Sequence, residues 1–426
     1  MRIWSDPTKR RWIVWGVLAA VFALVSVHRL STAVLAERLT RAFDTSGAAL
    51  GTLHASFFYV YAAMQLPAGI IADRLGSRRS VTGGAVVMSV GALGFALAQS
   101  YVVAFAARAL IGLGGGLMFI AILRFCANWF RPDEFARLSG LTLAAAGVGG
   151  ILATTPLAVV VAAAGWRQTT LGLAVVGFVL APLVYLLARD TPADAGLTDI
   201  DGVPLADTPS LRGVARNTAH ILRERETWIV GIVMLCGTGI NITVFGLWGV
   251  PYLVQTYEMT VTRASTYTLL GSAGILIGPP LVGWVSDRTG NRTLLMAVGQ
   301  AAYTASFGLI AVFGRPPIAV VGIAFFSAGF LAGAYALGYT IIKERHASGA
   351  SGVATGAVNT MAFTGAAVFP TLVGLLLDAY WTGETIGGAR VYSVFGYRLA
   401  FALATLAGFV ALLASVWLHL RTPSSR

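Results

Sequence analysis

Apolar residues along this 426-residue chain fall in long unbroken runs, so run length rather than periodicity must decide between helix and strand. Twelve runs stand out. The first six lie near 12–36, 50–72, 80–99, 101–124, 138–163 and 168–188; the second six lie near 228–255, 265–286, 293–313, 317–342, 350–378 and 396–420. A helix needs about 20 apolar residues to cross a bilayer, and each run has roughly that many. The pattern predicts twelve transmembrane helices. The first run, Trp12 to Ala36, is too long for a signal peptide and lacks an evident small-residue cleavage site, which predicts a retained first helix. Between the two sets, Arg189 to Thr227 mixes acidic and basic residues with proline, the composition of a solvated linker. The expected organisation is an N-terminal six-helix bundle over 1–189, a cytoplasmic linker over 190–227 and a C-terminal six-helix bundle over 228–426.

Composition sharpens this picture. Hydrophobic residues make up 57% of the chain and charged ones 11%, with a mean hydropathy of +0.76. Soluble domains carry about 25% charged residues, so a soluble protein is excluded and the lipid bilayer is the main solvent. Fifty glycines imply helices packed closely through small residues. Cys126 and Cys236 fall in apolar runs of different halves and read as small core residues rather than a disulfide or metal pair. With both termini and the linker on one side, that side carries twenty of the loop lysines and arginines against seven opposite. The positive-inside rule makes it the cytoplasm. The net charge of +12 is spread over these loops, as for contact with anionic headgroups, and gives no basic domain for nucleic acid.

The strongest internal signal is a repeat. GIIADRLGSRR runs from Gly69 to Arg79 after the second run, and GWVSDRTGNR from Gly283 to Arg292 after the eighth. Gly69, Asp73, Arg74 and Gly76 recur 214 residues later as Gly283, Asp287, Arg288 and Gly290. Matching loops at equivalent places mean that the halves are structurally related, which puts a solute site between them near the bilayer midplane.

These loops resemble the signature between helices 2 and 3 of the major facilitator superfamily. The resemblance covers essentially the whole chain and implies an all-α fold of two pseudo-symmetric six-helix bundles working by alternating access. It also implies that Asp73 bridges helix ends while Arg74, Arg78 and Arg79 hold a cytoplasmic gate, with a looser second copy in which Asn291 replaces a basic residue. ARALIGLGGG, carrying Arg108, is similar to the family's arginine motif on helix 4. AGVGGILATTP, ending at Pro156, is similar in part to the glycine-proline motif of antiporters, although Gly150 is followed by Ile151 where a proline is usual. The stretch from His28 to Arg79 resembles organic-anion symporters related to sialin and the hexuronate transporters. NWFRPDEFARLSG (Asn128 to Gly140) and GWRQ (Gly165 to Gln168) are similar to that set and to the branch of the lysosomal dipeptide carrier.

Ionisable groups inside a membrane are costly, so each is a site hypothesis to be weighed against snorkelling at helix ends. Arg29, about 25 Å along the first helix, and Arg124 on the fourth are suited to a carboxylate or phosphate. His28 adjoins Arg29 but points about 100° away, so one of the two at most faces a central cavity squarely. His28, His54 and Arg108 are the proton-coupling candidates. Tyr59, Tyr61, Gln65, Asn241, Trp248, Tyr267, Tyr335, Tyr339 and Asn359 can line a pocket, with Tyr61, Asn241, Tyr267 and Asn359 the named binding candidates beside the two arginines. No acidic residue stands in mid-membrane, which favours an anionic or zwitterionic small-molecule substrate over a cationic one. No nucleotide loop, metal-spaced cluster or nucleophile-base pair is present, so neither an enzyme nor a cofactor is expected.

The expectation is a monomeric secondary carrier of small organic solutes, coupled to protons, in a prokaryotic plasma membrane with both termini cytoplasmic. A drug or amphiphile exporter, and a membrane sensor that kept the fold without transport, are the alternatives.

Overall fold

Hydrocarbon offers no partners to a backbone N–H or C=O, so a chain this apolar satisfies those groups within helices. The computed structural model describes residues 6–198, 200–203, 220–346, 348–386 and 388–421, and these are overwhelmingly helical. The middle of the expected linker, residues 204–219, lies outside the described residues.

The first crossing is α1 (Pro7–Leu30) continued by α2 (Thr32–Phe43). Its start is set by Asp6, whose side chain accepts the N–H groups of Thr8 and Lys9, and by Pro7 in the first turn. The second and third crossings form one 51-residue element, α3 (Gly47–Leu97), in which only Gly76 leaves helical geometry. Its φ of 78° and ψ of 167° suit a residue without Cβ. The expected loop between these crossings is thus a single-glycine bend. The fourth crossing is α4 (Tyr101–Gly116) with α5 (Met118–Trp129), the fifth is α6 (Pro132–Leu152) with α7 (Thr155–Ala164), and the sixth is α8 (Trp166–Leu187).

The second half begins with α9 (Arg225–Thr243), a π-helical turn at Val244–Trp248, and α10 (Gly249–Tyr257). Then come α11 (Val261–Thr289), α12 (Arg292–Phe313), α13 (Ile318–Phe330) with α14 (Ala332–Arg345), α15 (Ser348–Ala379) and α16 (Val394–Arg421). Eleven helical stretches among the described residues are long and apolar enough to span a bilayer. The first arm of α3 makes the twelfth. The protein is an all-α, multi-pass membrane protein, and its outer surface carries exposed apolar side chains such as Val102, Leu186 and Ile323.

One element lies outside the sequence expectation. Between α15 and α16 stands a two-stranded antiparallel hairpin, β1 (Trp381–Ile386) and β2 (Ala389–Tyr392), with Trp381 opposite Tyr392 and Ile386 opposite Ala389. It is held from α10 by Gln255, which donates to the Arg390 carbonyl at 3.0 Å and accepts the Tyr392 N–H at 2.9 Å.

The two halves meet chiefly at the face opposite the termini. There the first arm of α3 lies so close to α15 that a Cβ on Gly374 would stand 2.2 Å from the Gly47 carbonyl oxygen. Thr52 and Thr371 share a hydrogen bond of 3.3 Å nearby. Toward the terminus-bearing face the halves part: a Cβ on Gly69 or Gly352 would meet nothing within 4 Å. Among the described residues, ion pairs on that face stay within one half. Arg11 grips Glu134 through both carboxylate oxygens, at 2.8 and 2.9 Å, and Arg292 grips Glu344 in the same way at 2.9 and 2.8 Å.

Candidate functional site

Arg29 leaves α1 toward the interface of the halves. Its guanidinium carbon lies 5.0 Å from the centre of the Tyr61 ring and 5.2 Å from that of Phe363, and Nη2 donates to the Tyr61 hydroxyl at 3.1 Å. Tyr61 belongs to α3 and Phe363 to α15, so a cation from the first half sits between aromatic rings of both halves, an arrangement that stabilises the charge without neutralising it. Its Nε is buried with no hydrogen-bond partner. One turn further along α3, Gln65 donates to the Tyr61 carbonyl at 3.1 Å and accepts from the Asn359 amide at 2.6 Å. The Tyr339 hydroxyl donates in turn to Asn359. Arg29, Tyr61 and Gln65 therefore converge with Tyr339, Asn359 and Phe363 from the second half. The set offers one full positive charge, amide and phenol groups, and aromatic faces. None of its polar contacts is to a carboxylate.

Several sequence candidates stand elsewhere. Arg124 does not face Arg29: it is ion-paired with Asp73, because the fourth crossing continues to Trp129 and its last turns run beside the α3 bend. Tyr267 packs over Gly322 of α13, where a Cβ would meet its ring at 3.5 Å. Asn241 is buried in α9 with its amide nitrogen unpartnered, within the second half. Tyr59 is 43% exposed and faces outward. Tyr335 lies against Gly237 inside the second half, and Trp248 donates to the Pro370 carbonyl at 3.0 Å.

His28 and Arg29 diverge as their adjacency requires. His28 points into the first half, where it shares a small cavity with Arg108. His54, wholly buried, packs instead against the other half, its Cε1 3.1 Å from where a Cβ on Gly246 would stand. Gly246 lies in the π-helical turn, a local widening of the helix that recurs at functional sites.

The repeat motifs form two separate networks. In the first copy, Asp73 pairs with Arg124 while Asp190, just past α8, accepts the Arg78 N–H at 2.9 Å. Arg78 also donates to the Tyr185 carbonyl at 2.7 Å and lies 4.0 Å over that ring, whereas Arg74 and Arg79 are exposed. In the second copy, Asp287 pairs with Arg292 at 2.8 Å, Arg288 lies over Trp284 at 4.0 Å, and Gly290 ends α11 at a φ of 65°. Asn291 has a task of its own there: its side chain caps α12 by accepting the Leu294 N–H at 3.2 Å.

Phe363 is the site residue that sequence reasoning missed. One phenylalanine in an apolar run carries no signal of its own; the pointer was its place one helical turn after Asn359.

Comparison with known proteins agrees with the fold. A sequence profile described as Major Facilitator Superfamily matches residues 15–370 and 250–426. The chain belongs to the Major Facilitator Superfamily. Among curated relatives, it is 25% identical to a probable sulfoacetate transporter of Cupriavidus necator, covering 69% of each chain. It is 22% identical to the hexuronate transporter of Bacillus subtilis over 91% of this chain and 90% of that one. A bacterial homologue of the human lysosomal transporter Spinster, solved in an inward-facing and occupied conformation, superposes with a TM-score of 0.79 at 16% identity over 98% of both chains. Membership of this superfamily makes the protein a membrane transporter and not an enzyme.

Proposed function

We propose that this transporter carries a small organic anion by alternating access, with the solute held between the halves at Arg29. The observation that carries the reading is the placement of that guanidinium: at the interface of the two halves, between the Tyr61 and Phe363 rings, with no carboxylate to neutralise it. An uncompensated cation in a low-dielectric site selects for negative charge. Because one arginine reaches this point, a solute with a single carboxylate or sulfonate and a compact hydroxylated or apolar body fits best. Gln65, Tyr339 and Asn359 would hydrogen-bond its uncharged part. Sulfoacetate and hexuronates, the solutes named for two of the relatives, are both small organic anions; the hexuronates, with one carboxylate on a hydroxylated body, match the single-charge class, whereas sulfoacetate carries a sulfonate as well as a carboxylate.

The terminus-bearing face is read as the cytoplasm of a prokaryotic plasma membrane, on the loop charge bias. Proton coupling belongs to the proposal, with His28 and His54 as the titratable groups of the first half. Asp73, Arg78, Arg124 and Asp287 are read as holding the helix ends that rearrange when the halves rock. Uptake of carboxylates and sulfonates into proteoliposomes, with and without an inward proton gradient, tests the reading. Saturable uptake driven by the gradient and lost in Arg29→Gln is expected. Uptake indifferent to Arg29, or confined to cationic amphiphiles, overturns it.

A further inference from the structure

Arg108 lies in the middle of the first half, not at the interface. It is 1% exposed, and its Nε and Nη2 are buried without a hydrogen-bond acceptor. Phe95 stands 5.6 Å away through its ring, a weak compensation for a full charge. Beside it is a nearly enclosed cavity bounded by His28, Ser31, Phe95, Thr169 and Thr170. The centre of a water-sized sphere can occupy about 10 Å³ of it, room for one water or one monatomic ion.

The polar groups around this space divide into two kinds. The three hydroxyls already donate to carbonyls: Ser31 to His28, Thr169 to Gly165 and Thr170 to Trp166. His28 Nε2, like the two Arg108 nitrogens, is buried and unpartnered. The hydroxyl oxygens and, in one tautomer, His28 Nε2 can still accept a hydrogen bond, but every group around this space other than Arg108 is neutral. No aspartate or glutamate lines the cavity, and among the described residues the ion pairs of the first half lie near helix ends or at the α3 bend. A water here would satisfy a donor and leave the charge uncancelled. An anion does both, and the strength of that pairing grows as the surroundings become less polar.

We propose that the Arg108 cavity binds a single halide ion, chloride under ordinary conditions, as a structural counter-ion of the first half. Arg108 Nε and Nη2 donate to it together with His28 Nε2 in its N–H tautomer. The cavity is too small for a carboxylate or sulfonate, so this site is distinct from the one at Arg29 and does not depend on which solute is carried.

The test uses the purified full-length protein at constant ionic strength, exchanging sodium gluconate for sodium chloride or bromide. Chloride and bromide are expected to raise the unfolding midpoint by several degrees, saturating in the millimolar range, and equilibrium dialysis with radioactive chloride should find about one ion per chain. Arg29→Gln should keep the response and Arg108→Gln should lose it. Should Arg108→Gln fail to fold, His28→Ala is expected to weaken chloride binding about tenfold in the same dialysis. The proposal is overturned if wild type binds no chloride, if Arg108→Gln responds as wild type does, or if Arg29→Gln abolishes the response and so moves the ion to the central site.

Discussion

Asp378 caps the helix that begins at Gly47 from the opposite half of the molecule, accepting the N–H groups of Gly47 and Ala48 at 2.8 Å each. A carboxylate at a helix N-terminus gains both hydrogen bonds and the favourable end of the helix dipole. Arg390 of the hairpin steadies it at 3.3 Å, and the Tyr392 hydroxyl lies at 3.4 Å. Burial, reinforced by the neighbouring Asp378 charge, pushes the Tyr392 pKa upward, so its hydroxyl stays a donor. The hairpin thus orients a latch that joins the halves on the face away from the termini. Asp378→Asn keeps the shape but removes the charge and one acceptor oxygen. With charge-assisted bonds worth about 1.5–3 kcal/mol, roughly a tenfold shift toward the conformation open on that face is expected. Maleimide labelling of Thr52→Cys from that side measures it; an unchanged labelling rate would show that Asp378 is no latch.

Gly374 is where the same contact is tightest. A methyl group there would stand 2.2 Å from the Gly47 carbonyl oxygen and 2.5 Å from its carbon, and backbone cannot swing aside as a side chain can. Overpacking of this kind costs about 1–3 kcal/mol. Gly374→Ala is expected to hold the halves apart on this face, speeding Thr52→Cys labelling while uptake falls about tenfold. A variant with normal uptake and slow labelling would mean that the two helices never need so close an approach.

Gly76 is constrained in two ways. Its φ of 78° is unfavourable for any residue with a Cβ, and that Cβ would lie 2.3 Å from an Asp190 carboxylate oxygen. Gly83, in the helical arm beyond the bend, has nothing within 4 Å of its Cβ position. Gly76→Ala is therefore expected to cost about 1–3 kcal/mol and lower the thermal midpoint in detergent. Gly83→Ala, in an ordinary helix, should be neutral or stabilising. Equal effects of the two substitutions would remove the special status of the bend.

How far the sequence discloses this molecule depends on the range of the interaction involved. The twelve crossings are legible because each is a local property, a run of apolar residues long enough for the bilayer. The Gly76 bend is legible through its repeat at Gly290. The pairing of Asp73 with Arg124 spans 51 positions and depends on how the fourth crossing packs beside the α3 bend, which hydropathy does not report. Adjacency tells that His28 and Arg29 must diverge, but choosing which one faces the other half requires the packing of α1 against α3 and α8. The 381–392 hairpin escaped because it is short, glycine-interrupted and fixed by Gln255 from a distant helix.

The Asp73 and Arg124 pair is the first-copy link between the α3 bend and the end of α5. Both side chains are partly exposed, Arg124 at 18% and Asp73 at 34%, so the pair is worth about 1 kcal/mol to stability after screening. Its larger effect is expected on conformational balance. Arg124→Gln and Asp73→Asn should each lower the uptake rate several-fold, and the exchanged pair Asp73→Arg with Arg124→Asp should recover part of it. A double exchange no better than the single variants would indicate that each residue acts alone.

Arg29→Lys separates charge from geometry at the central site. A lysine keeps the positive charge but loses the planar fork that donates to Tyr61 at 3.1 Å and still offers Nε to a bound oxyanion. It also stacks less well between the Tyr61 and Phe363 rings, since the guanidinium is flat and weakly hydrated. If the site binds an anion by two-point contact, Arg29→Lys should weaken solute binding by about 1–3 kcal/mol, tenfold or more, while Arg29→Gln abolishes it. If Arg29 serves only to balance charge, the lysine variant should bind as wild type does. Solute-dependent protection of a cysteine placed at Asn359, compared across Arg29, lysine and glutamine backgrounds, distinguishes the two, because that position faces the same space from the other half.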